Sequence, residues 1–368
     1  MFTHPYGSLA FTSLSVDETK EVELVFQLLT AAEKVGRNQY ETGSKFLTRC
    51  GWVASDSGTP VEQVVYYLCE ALQKRISKES GIPVPIKLGK LGLKNENPMG
   101  IGTNLTFLAF HQALPFNQVI HFSGIQAILD QVGTSSKVHL IDIHVRSGIQ
   151  WTPVMQALAD QKSHIELLKL TAFATSTDVQ KVEHKQFEVH DDEVVAIYCH
   201  VILRTMVSKP KKLDNLMRAI RTVNPSFIVM AEVEANHSST SFVNRFTETL
   251  FFYGALFDCL DACMSRDDVH RAILEGVHFA DGMQNIVSAE GEERVSRSAN
   301  MNTWRSFFTR FGMVEIELSD SCIYQANLVL QQFSCGSSCM LENNGKSLIL
   351  GWKGTPLHSL STWKFIQE

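Results

Sequence analysis

A short apolar strand followed at once by a helix is the feature that most constrains what this chain can fold into. Val138–Ile143 reads VHLIDI, which predicts a buried strand, and Gly148–Ala159 predicts the helix that follows it. Two more strands are predicted at Ile165–Thr171 and Phe227–Val233, and a helix at Lys211–Thr222 precedes the latter and stops before an Asn-Pro pair. Strands that alternate with helices pair in parallel, so the pattern predicts an open α/β sheet.

The first third of the chain is predicted to be helical throughout. Its apolar residues recur at intervals of three and four, which is the spacing of one helix face. The predicted helices are Thr19–Thr48, Gly43–Trp52, Pro60–Ile76, Thr103–Leu114 and Ser123–Val132, with a linker rich in Gly, Pro and Lys over Ser77–Gly102. The change to strand character at Lys137 therefore separates an all-helical region from an α/β region.

The last third of the chain is predicted to contain further helices and two late strands. The predicted helices are Ser241–Cys263, Val269–Val287 and Asn302–Phe311, and the predicted strands are Val314–Leu318 and Ser347–Trp352. Ala326–Phe333 fits either a helix or a short strand. The α/β region is therefore expected to continue to the end of the sequence.

One interval does not fit this pattern. We interpret Val194–Met206 as a helix, which leaves the mostly polar stretch Thr175–Phe187 to supply a crossover helix and the next strand. A parallel crossover alone needs about a dozen residues. We therefore expect that residues of the natural chain are missing from this stretch.

Composition and charge exclude several classes of protein. The 368 residues include 33 Lys and Arg against 39 Asp and Glu, a formal charge of -6, which argues against a protein that binds DNA on its own. No apolar run reaches the roughly 18 residues of a membrane span, and Met1–Leu14 lacks the basic and apolar regions of a secretion signal. Eight cysteines are too few for a disulfide scaffold. The pairs Cys259/Cys263 and Cys335/Cys339 lack a second ligand pair for zinc, so we expect thiols in a reducing compartment.

Asp142 stands at the carboxyl end of the first predicted strand, where open α/β sheets bind their ligands. A nucleotide or S-adenosylmethionine site needs a Gly-rich loop at this point, because glycine lets the backbone approach the ligand and leaves the first helix amides accessible. Only Gly148 is present, and the chain contains no G-x-G-x-x-G or Walker loop. The sequence therefore predicts the position of a ligand site without the chemistry to bind a ligand there.

The segment that contains this strand has a distinctive order of residues. It runs Val138, His139, Leu140, Ile141 and Asp142 and continues, past the loop, with Gln150 and Trp151. This order resembles the VHIID motif of the GRAS family of plant regulatory proteins. Later residues resemble the remaining motifs of that family in the family's order: Pro225, Phe252, Tyr253, Arg271 and Glu275 for PFYRE, Arg294, Arg297 and Trp304 for RVER, and Trp352 and Trp363 for SAW.

The resemblance extends over nearly the whole chain, with three departures. Leu140 stands in place of an isoleucine, Ser296 in place of the RVER acid and Thr362 in place of the SAW alanine, so no ion pair can use the acid of RVER. The second leucine-rich region is short at the interval described above. No DELLA segment is visible at the N-terminus, and the resemblance therefore leaves open a SCARECROW-like protein or a DELLA-like one without that segment.

The resemblance implies a fold and a function. The implied fold is α/β, a Rossmann-like (methyltransferase-like) and mostly parallel sheet flanked by helices, with an α-helical cap. Residues 1–110 would form the leucine-rich cap and 111–368 the core, with the helices of about 241–287 contributing to the cap. The implied function is that of a non-enzymatic coregulator of transcription in plant development or signalling, without a cofactor.

The resemblance also implies partners and a place of action. GRAS proteins work in the nucleus through zinc-finger or other DNA-binding transcription factors, and they form homo- or heterodimers with other GRAS proteins. DNA would then be reached indirectly, and no membrane is involved. Two alternatives stay open, namely a protein that binds a small molecule like an S-adenosylmethionine-dependent methyltransferase and a transcription factor that binds DNA directly.

The motif residues also have structural interpretations, which we favour. We expect His139 to be a core histidine satisfied by one hydrogen bond rather than a pocket or interface group. We expect Asp142 to cap the loop after its strand and to pair with Arg146 rather than with a ligand. We expect Arg294 and Arg297 to pair with carboxylates such as Glu290 rather than to contact phosphate.

Three further groups of residues are interpreted from their spacing and type. Glu232 and Glu234 lie two apart on a strand and so face one side, but no nucleophile or metal ligand accompanies them, which argues against acid/base catalysis. The tryptophans of the motifs are expected to be anchors in the core or at its rim. The first candidates for an exposed partner-binding patch on the leucine-rich helices are Phe26, Tyr66 and Tyr67.

Overall fold

A computed structural model describes residues 14–81, 101–133, 135–145, 147–160, 165–174 and 187–366. The chain divides into two compact units. The helical unit comprises Met1–Lys94, Ser239–Asp261 and Glu275–Ala289, and the α/β unit comprises Asn95–Ser238, Ala262–Leu274 and Glu290–Glu368. The predicted linker and the crossover stretch lie for the most part outside the described residues, as does the predicted partner Arg146.

Helices account for most of the regular structure. They are α1 (Val16–Gly36), α2 (Tyr40–Cys50), α3 (Pro60–Ser80), α4 (Ile101–Ala113), α5 (Pro115–Val132), α6 (Trp151–Asp160), α7 (Pro210–Val223), α8 (Phe242–Cys263), α9 (Val269–Ile273), α10 (Ala280–Val287), α11 (Met301–Thr309) and α12 (Asp320–Gln331). A π-helical turn, Leu274–Phe279, joins α9 to α10. No helix in the described ranges has both the length and the apolarity that a bilayer span requires.

Local sequence signals set the ends of the first helices. Ser15 and Thr59 each form a capping box with the glutamate three residues later, at the starts of α1 and α3. α3 ends at Gly81, whose φ of 69° is a left-handed conformation that glycine adopts without steric cost. The single helix predicted over Thr19–Thr48 is wrong, because the chain breaks at Asn38, where φ is 60°, and separates α1 from α2.

The helical unit is held together by its apolar stripes. Leu28, Ala31 and Ala32 of α1 are completely buried, as the periodicity predicts. Of the residues expected in an exposed patch, Phe26 is 43% exposed, whereas Tyr67 is buried and stacks on Phe257 with ring centroids 5.7 Å apart. The prediction that Tyr67 is exposed is therefore wrong, since its side of α3 faces α8.

The α/β unit is built on one mixed sheet. Its strands are β1 (Lys137–Asp142), β2 (Leu167–Ala172), β3 (Val194–His200), β4 (Phe227–Val233), β5 (Met313–Ile316), β6 (Cys339–Asn344), β7 (Ser347–Trp352) and β8 (Thr355–Phe365). Their order is β2-β1-β3-β4-β8-β7-β6, and β5 also pairs with β8. The strands β2, β1, β3 and β4 are parallel, whereas every pairing of β8, β7, β6 and β5 is antiparallel.

The helix predicted over Val194–Met206 is wrong, because Val194–His200 is the strand β3. Six of its seven residues are buried, so the strand shows a continuous apolar run instead of the alternation that marks a strand with one exposed face. With β3 in place, Ala172 and Val194 are joined by one crossover of adequate length. The expectation that residues are missing from this interval therefore loses its premise, although residues 175–186 themselves are not described.

The antiparallel half holds two strands that the sequence did not predict, β6 and β8. Cys339 is the first residue of β6, and Ala326–Phe333 falls largely within the helix α12. β8 is the longest strand of the sheet, and one of its edges pairs with β4 while its other edge pairs with β5 and β7. It therefore joins the parallel half to all of the other antiparallel strands.

Close packing of α5 on the sheet depends on a glycine. α5 packs against β4 and β8, and α12 packs against α5. A Cβ atom added at Gly124 of α5 would lie 3.3 Å from Tyr198 and 3.6 Å from Val229. A side chain at this position would have to displace one of these buried neighbours, so Gly124 sets the distance between helix and sheet.

The other face of the sheet carries an aromatic core. Trp304 and Phe308 of α11 stack with ring centroids 5.8 Å apart, and Phe308 lies 4.8 Å from the ring of Trp363 on β8. Trp304 and Trp363 are each 2% exposed. Both tryptophans belong to the motif residues predicted to be anchors, and the structure places them in the core of the α/β unit.

We predict that Trp363→Ala lowers the free energy of unfolding by about 3–5 kcal/mol, because it leaves a cavity among packed aromatic rings. Urea denaturation followed by tryptophan fluorescence and circular dichroism measures the change. Tyr324→Ala, at a position that is 65% exposed on α12 of the same unit, is the control and should change stability by about 0.5 kcal/mol or less. A loss below about 1 kcal/mol for Trp363→Ala would contradict its placement in the core.

Candidate functional site

The carboxyl ends of β1, β3 and β4 lie side by side at one edge of the parallel half. They carry Asp142, His200 and Glu232, which are all buried. This edge is where a Rossmann-like sheet binds its ligand. It is therefore the first place to look for a functional site.

Both carboxylate oxygens of Asp142 are used within the protein. Oδ1 accepts a hydrogen bond from the backbone N–H of His144 at 3.0 Å. Oδ2 accepts one from Nε2 of Gln150 and one from Nε1 of Trp151, both at 2.9 Å. Three motif residues thus form one hydrogen-bonded group that ties the loop after β1 to the start of α6, and Asp142 makes the capping contact expected of it.

Burial raises the pKa of Asp142 to about 6, from its ordinary value of 3.8. The hydrogen bonds from His144, Trp151 and Gln150 oppose this rise, because they stabilise the charged form. Asp142 is completely buried, so a ribose or an amine could reach its carboxylate only by displacing Gln150 or Trp151. The side chains of the protein occupy the position that a ligand takes in an enzyme of this fold.

The space beside this group is small and lined by histidines. A cavity of about 40 Å³ is bordered by Gln150 and by His111, His121, His144 and His200. The ring centroid of His121 lies 5.1 Å from that of His111 and 4.7 Å from that of His200. Sites for cofactor-sized ligands occupy about 300–1,000 Å³, so the cavity has room for water and not for S-adenosylmethionine.

Glu232 and Glu234 hold different segments of the chain. Oε1 of Glu232 accepts a hydrogen bond from the backbone N–H of Leu203 at 2.7 Å, and both oxygens of Glu234 lie 3.0 Å from the backbone nitrogen of Met301, at the start of α11. Burial raises the pKa of Glu232 to about 7, and the positive charge of Arg204 opposes this rise. The two carboxylates therefore fix two separate loops at the same edge.

The arginines of the RVER-like segment are bound to backbone carbonyls. Nη1 of Arg294, which is 4% exposed, donates to the carbonyl of His237 at 3.3 Å, and Nη2 of Arg297 donates to the carbonyl of Gly291 at 2.5 Å. Burial and the charges of Arg204 and Arg294 lower the pKa of His237 to about 3, so its imidazole is neutral. A buried Arg294 is not accessible to a phosphate.

His139 is a core residue. Its Nε2 lies 2.8 Å from Oγ1 of Thr171 on β2, and its Nδ1 lies 3.2 Å from a carboxylate oxygen of Glu193. Burial, and next the charge of Lys169, lower the pKa of His139, although Glu193 acts in the opposite direction. The side chain thus links the parallel strands, and Val138, Leu140 and Ile141 beside it are also buried.

The PFYRE-like residues are distributed over both units. Phe252 and Tyr253 pack in the helical unit with ring centroids 5.3 Å apart, and Glu275 accepts a hydrogen bond from Gln63 at 3.1 Å in that unit. Arg271 belongs to the α/β unit, where it donates to the carbonyl of Met264 at 2.8 Å. Pro225 follows Asn224, the left-handed residue that ends α7.

The remaining motif residue, Trp352, is 1% exposed and packs edge-on against Phe116 with ring centroids 6.4 Å apart. Each of the contacts described above joins residues of one unit. Among the residues that the structure describes, no three His, Cys, Asp or Glu side chains are placed to hold a metal ion. Cys263 and Cys335 of the α/β unit do approach each other, with sulfur atoms 3.0 Å apart.

These features define a class of protein: a Rossmann-like α/β fold whose ligand edge is filled by its own hydrogen-bonded side chains. The model of the GRAS domain family matches residues 24–183 and 174–364, and the chain belongs to that family. The family is one of plant transcriptional regulators.

Relatives and a solved structure agree with this assignment. The chain is 28% identical to DELLA protein RGL1 of Arabidopsis thaliana over 93% of its own length and 70% of RGL1. It is 26% identical to DELLA protein GAI1 of Vitis vinifera, with coverages of 94% and 62%, and 28% identical to DELLA protein 2 of Medicago truncatula, with 95% and 69%. The chain thus spans about two thirds of the length of these relatives.

A crystal structure of SCL7 from Oryza sativa superposes with a TM-score of 0.80 at 22% identity and covers 93% of this chain and 99% of SCL7. This match confirms the predicted fold, a Rossmann-like sheet flanked by helices. The subfamily stays open, because the identities to DELLA proteins are low and the chain spans only part of them.

Sequence reasoning missed the histidines that line the cavity. His200 ends β3, which was interpreted as a helix, so its position at the ligand edge was hidden. His121 lies on α5, a helix that is buried on most sides and therefore has no polar stripe from which the residue would stand out. The one available signal was His144 directly after the first predicted strand, and the other histidines join it only with the correct assignment of β3.

We predict that the ionisation of Asp142 lowers stability as the pH rises. Because its folded-state pKa, about 6, lies above the ordinary value of 3.8, the folded protein binds the proton more tightly, and that stabilisation is lost as the pH rises through 6. Asp142→Asn should therefore remove a loss of about 1 kcal/mol between pH 5 and pH 7. Urea denaturation at several pH values measures it, with Asp192→Asn, at an exposed carboxyl whose pKa is lowered by Lys137, as the control. An unchanged slope in Asp142→Asn would refute the assignment.

We predict that S-adenosylmethionine produces no binding heat in a calorimetric titration up to millimolar ligand. The three donors to Asp142 and the small cavity leave no place for its ribose and amino acid parts. Micromolar binding that is lost in Asp142→Ala would contradict this and would restore the methyltransferase-like alternative.

Proposed function

We propose that this protein is a nuclear, non-enzymatic coregulator of transcription that acts as a scaffold between other proteins. One observation carries the proposal: the ligand edge of its Rossmann-like sheet is occupied by Asp142, Gln150 and Trp151 of the chain itself. A protein of this fold whose ligand edge is closed by its own side chains acts through contacts at its surface. The family membership supports regulation as the purpose of that surface.

The proposed partners are zinc-finger or other DNA-binding transcription factors and a second GRAS protein, the same or different. The net charge of -6 supports an indirect route to DNA, because a chain that binds duplex DNA on its own usually carries a positive face or domain. The helical unit offers exposed apolar side chains, of which Trp52 is 79% and Phe251 60% exposed. We further propose that this unit is the cap expected over residues 1–110 and about 241–287.

We predict that the protein joins a DNA complex only through a partner. In an electrophoretic shift assay, the protein alone should leave a labelled duplex unshifted, and it should retard further a duplex already bound by a zinc-finger transcription factor. The reason is that binding then depends on protein contacts and not on phosphate neutralisation. Trp363→Ala, which weakens the α/β core, serves as the control variant in which a smaller fraction of the protein is folded.

Two results would decide against the proposal. Specific binding of the duplex by the protein alone, with an affinity that falls steeply with salt, would favour the direct DNA-binding alternative. A failure to form the larger complex with any zinc-finger or GRAS partner, while circular dichroism shows folded protein, would remove the scaffold function itself.

A further inference from the structure

A surface groove of the α/β unit has no role in the function proposed above. It lies between the start of α7 and α11 and has a volume of about 520 Å³. Leu213 and Trp304 form its buried floor, and Phe307, Val207 and Pro210 border it with partly exposed apolar surface. Its accessible lining is mostly apolar, so the groove can accept a bulky side chain from another molecule.

The surroundings of the groove are positively charged. The guanidinium of Arg310, an exposed residue of the lining, lies 5.2 Å from the ring centroid of Phe307. The first turn of α7 bears Lys211 and Lys212, both exposed, and contains no acid. The amino end of a helix adds positive potential in the same place. Asp214 is the one carboxylate in the groove's lining.

We propose that this groove docks an acidic amphipathic peptide segment of a partner protein. An apolar side chain such as Leu or Phe enters the groove over Trp304, and the Asp or Glu residues beside it face Arg310 and Lys211. This inference rests on the proposed function, which supplies the protein partner, and adds the chemistry of the segment that binds. Electrostatic complementarity of this kind chooses the partner, while the apolar anchor contributes most of the affinity.

A nucleic acid fits the same surface less well. Its phosphates would have to pass Asp214, and the mostly apolar lining offers the backbone little to bind. The apolar surface continues past the groove, because Val295 is 54% exposed and its carbonyl accepts a hydrogen bond at 3.5 Å from Ser208, the neighbour of Val207. An extended strip of apolar contact is typical of a peptide site.

Fluorescence anisotropy with synthetic peptides tests the proposal on the intact chain. The probe is a labelled peptide with one Leu and one Phe a helical turn apart among Glu residues. A second peptide replaces every Glu by Lys, and a third replaces Leu and Phe by Ser. We expect micromolar binding of the first peptide, reduced at least about tenfold for the other two.

Three variants and a matched control locate the site. Arg310→Glu and Lys211→Glu should each weaken the acidic peptide about fivefold to tenfold, and Ser306→Tyr, which fills the groove from its exposed wall, should abolish binding. Arg218→Glu makes the same charge reversal at an exposed position of α7 that does not line the groove, and should change the affinity less than about twofold. Circular dichroism and the urea midpoint confirm that each variant is folded.

Several outcomes would overturn the proposal. Equal binding of the acidic and basic peptides, an unchanged affinity in both Arg310→Glu and Ser306→Tyr, or tighter binding of a single-stranded or duplex DNA than of the peptide, with loss in Arg310→Glu, would each do so. If the acidic peptide does not bind but the larger zinc-finger complex forms on DNA, only the groove proposal is refuted. If the peptide binds but no such complex forms, the proposed scaffold function is refuted instead.

Discussion

The organisation of the α/β unit depends on one buried carboxylate, that of Asp142, and on the three donors that it satisfies. A charge removed from water is costly unless hydrogen bonds replace the lost solvation, and His144, Gln150 and Trp151 supply them. Because two of these donors are side chains at the beginning of α6, the carboxylate holds a helix in place as well as a loop. Glu232 and Glu234, in and directly after β4, which lies two strands away in the sheet, repeat the arrangement with backbone donors.

This edge therefore uses the physical means of ligand binding for internal cohesion. The groups that would contact a cofactor in an enzyme, namely an acid after β1, a polar side chain at the end of β3 and acids at the end of β4, are all present. Each of the three acids contacts a loop or helix of the same chain instead. The motif residues that identify the family in the sequence therefore mostly stabilise the unit. The exposed surface is then the part of the protein that distinguishes one partner from another.

The buried groups of this edge respond to pH in opposite directions. The raised pKa values of Asp142, about 6, and Glu232, about 7, favour the folded state at low pH and lose that contribution as the pH rises through them. The pKa of His237, lowered to about 3, makes the folded state weaker as the pH falls below the ordinary value of 6.5. Between about pH 4.5 and 6.5 the contribution of His237 therefore partly cancels that of the two acids.

Sequence reasoning succeeded where residue spacing or a residue that starts or stops an element marks that element. The amphipathic helix α3, predicted over Pro60–Ile76, and the strand β4 follow directly from residue spacing and end signals. It failed at β3, where both faces are covered and no alternation marks the strand. The equally buried β4 was predicted because a helix that stops at an Asn-Pro pair precedes its apolar run. Sequence reasoning also failed at β6 and β8, because pairing partners far away in the chain, and not local residue types, make those segments extended.

For the candidate site, the sequence predicted its position at the strand end and its acid, Asp142. It did not predict that Gln150 and Trp151 close the site to a ligand. Gln150 and Trp151, which donate to Asp142, lie eight and nine residues after it in the sequence. Their side chains reach the end of the strand only because the loop turns back on itself. The geometry of a loop without regular period cannot be derived from spacing. The groove between α7 and α11 could not be predicted either, because most of its lining comes from two segments, Val207–Asp214 and Ala299–Arg310, that are far apart in the sequence.

The position of β8 has a consequence for how the chain matures. β8 follows every other strand in chain order, yet it pairs with β4 on one edge and with β5 and β7 on the other. During synthesis, the parallel strands must wait with the edge of β4 uncovered until this last segment emerges, and an uncovered strand edge is a template for association with other chains. A growing polypeptide of this kind is therefore exposed to association until β8 is in place, and a truncation that removes His358–Trp363 would leave the edge of β4 uncovered permanently.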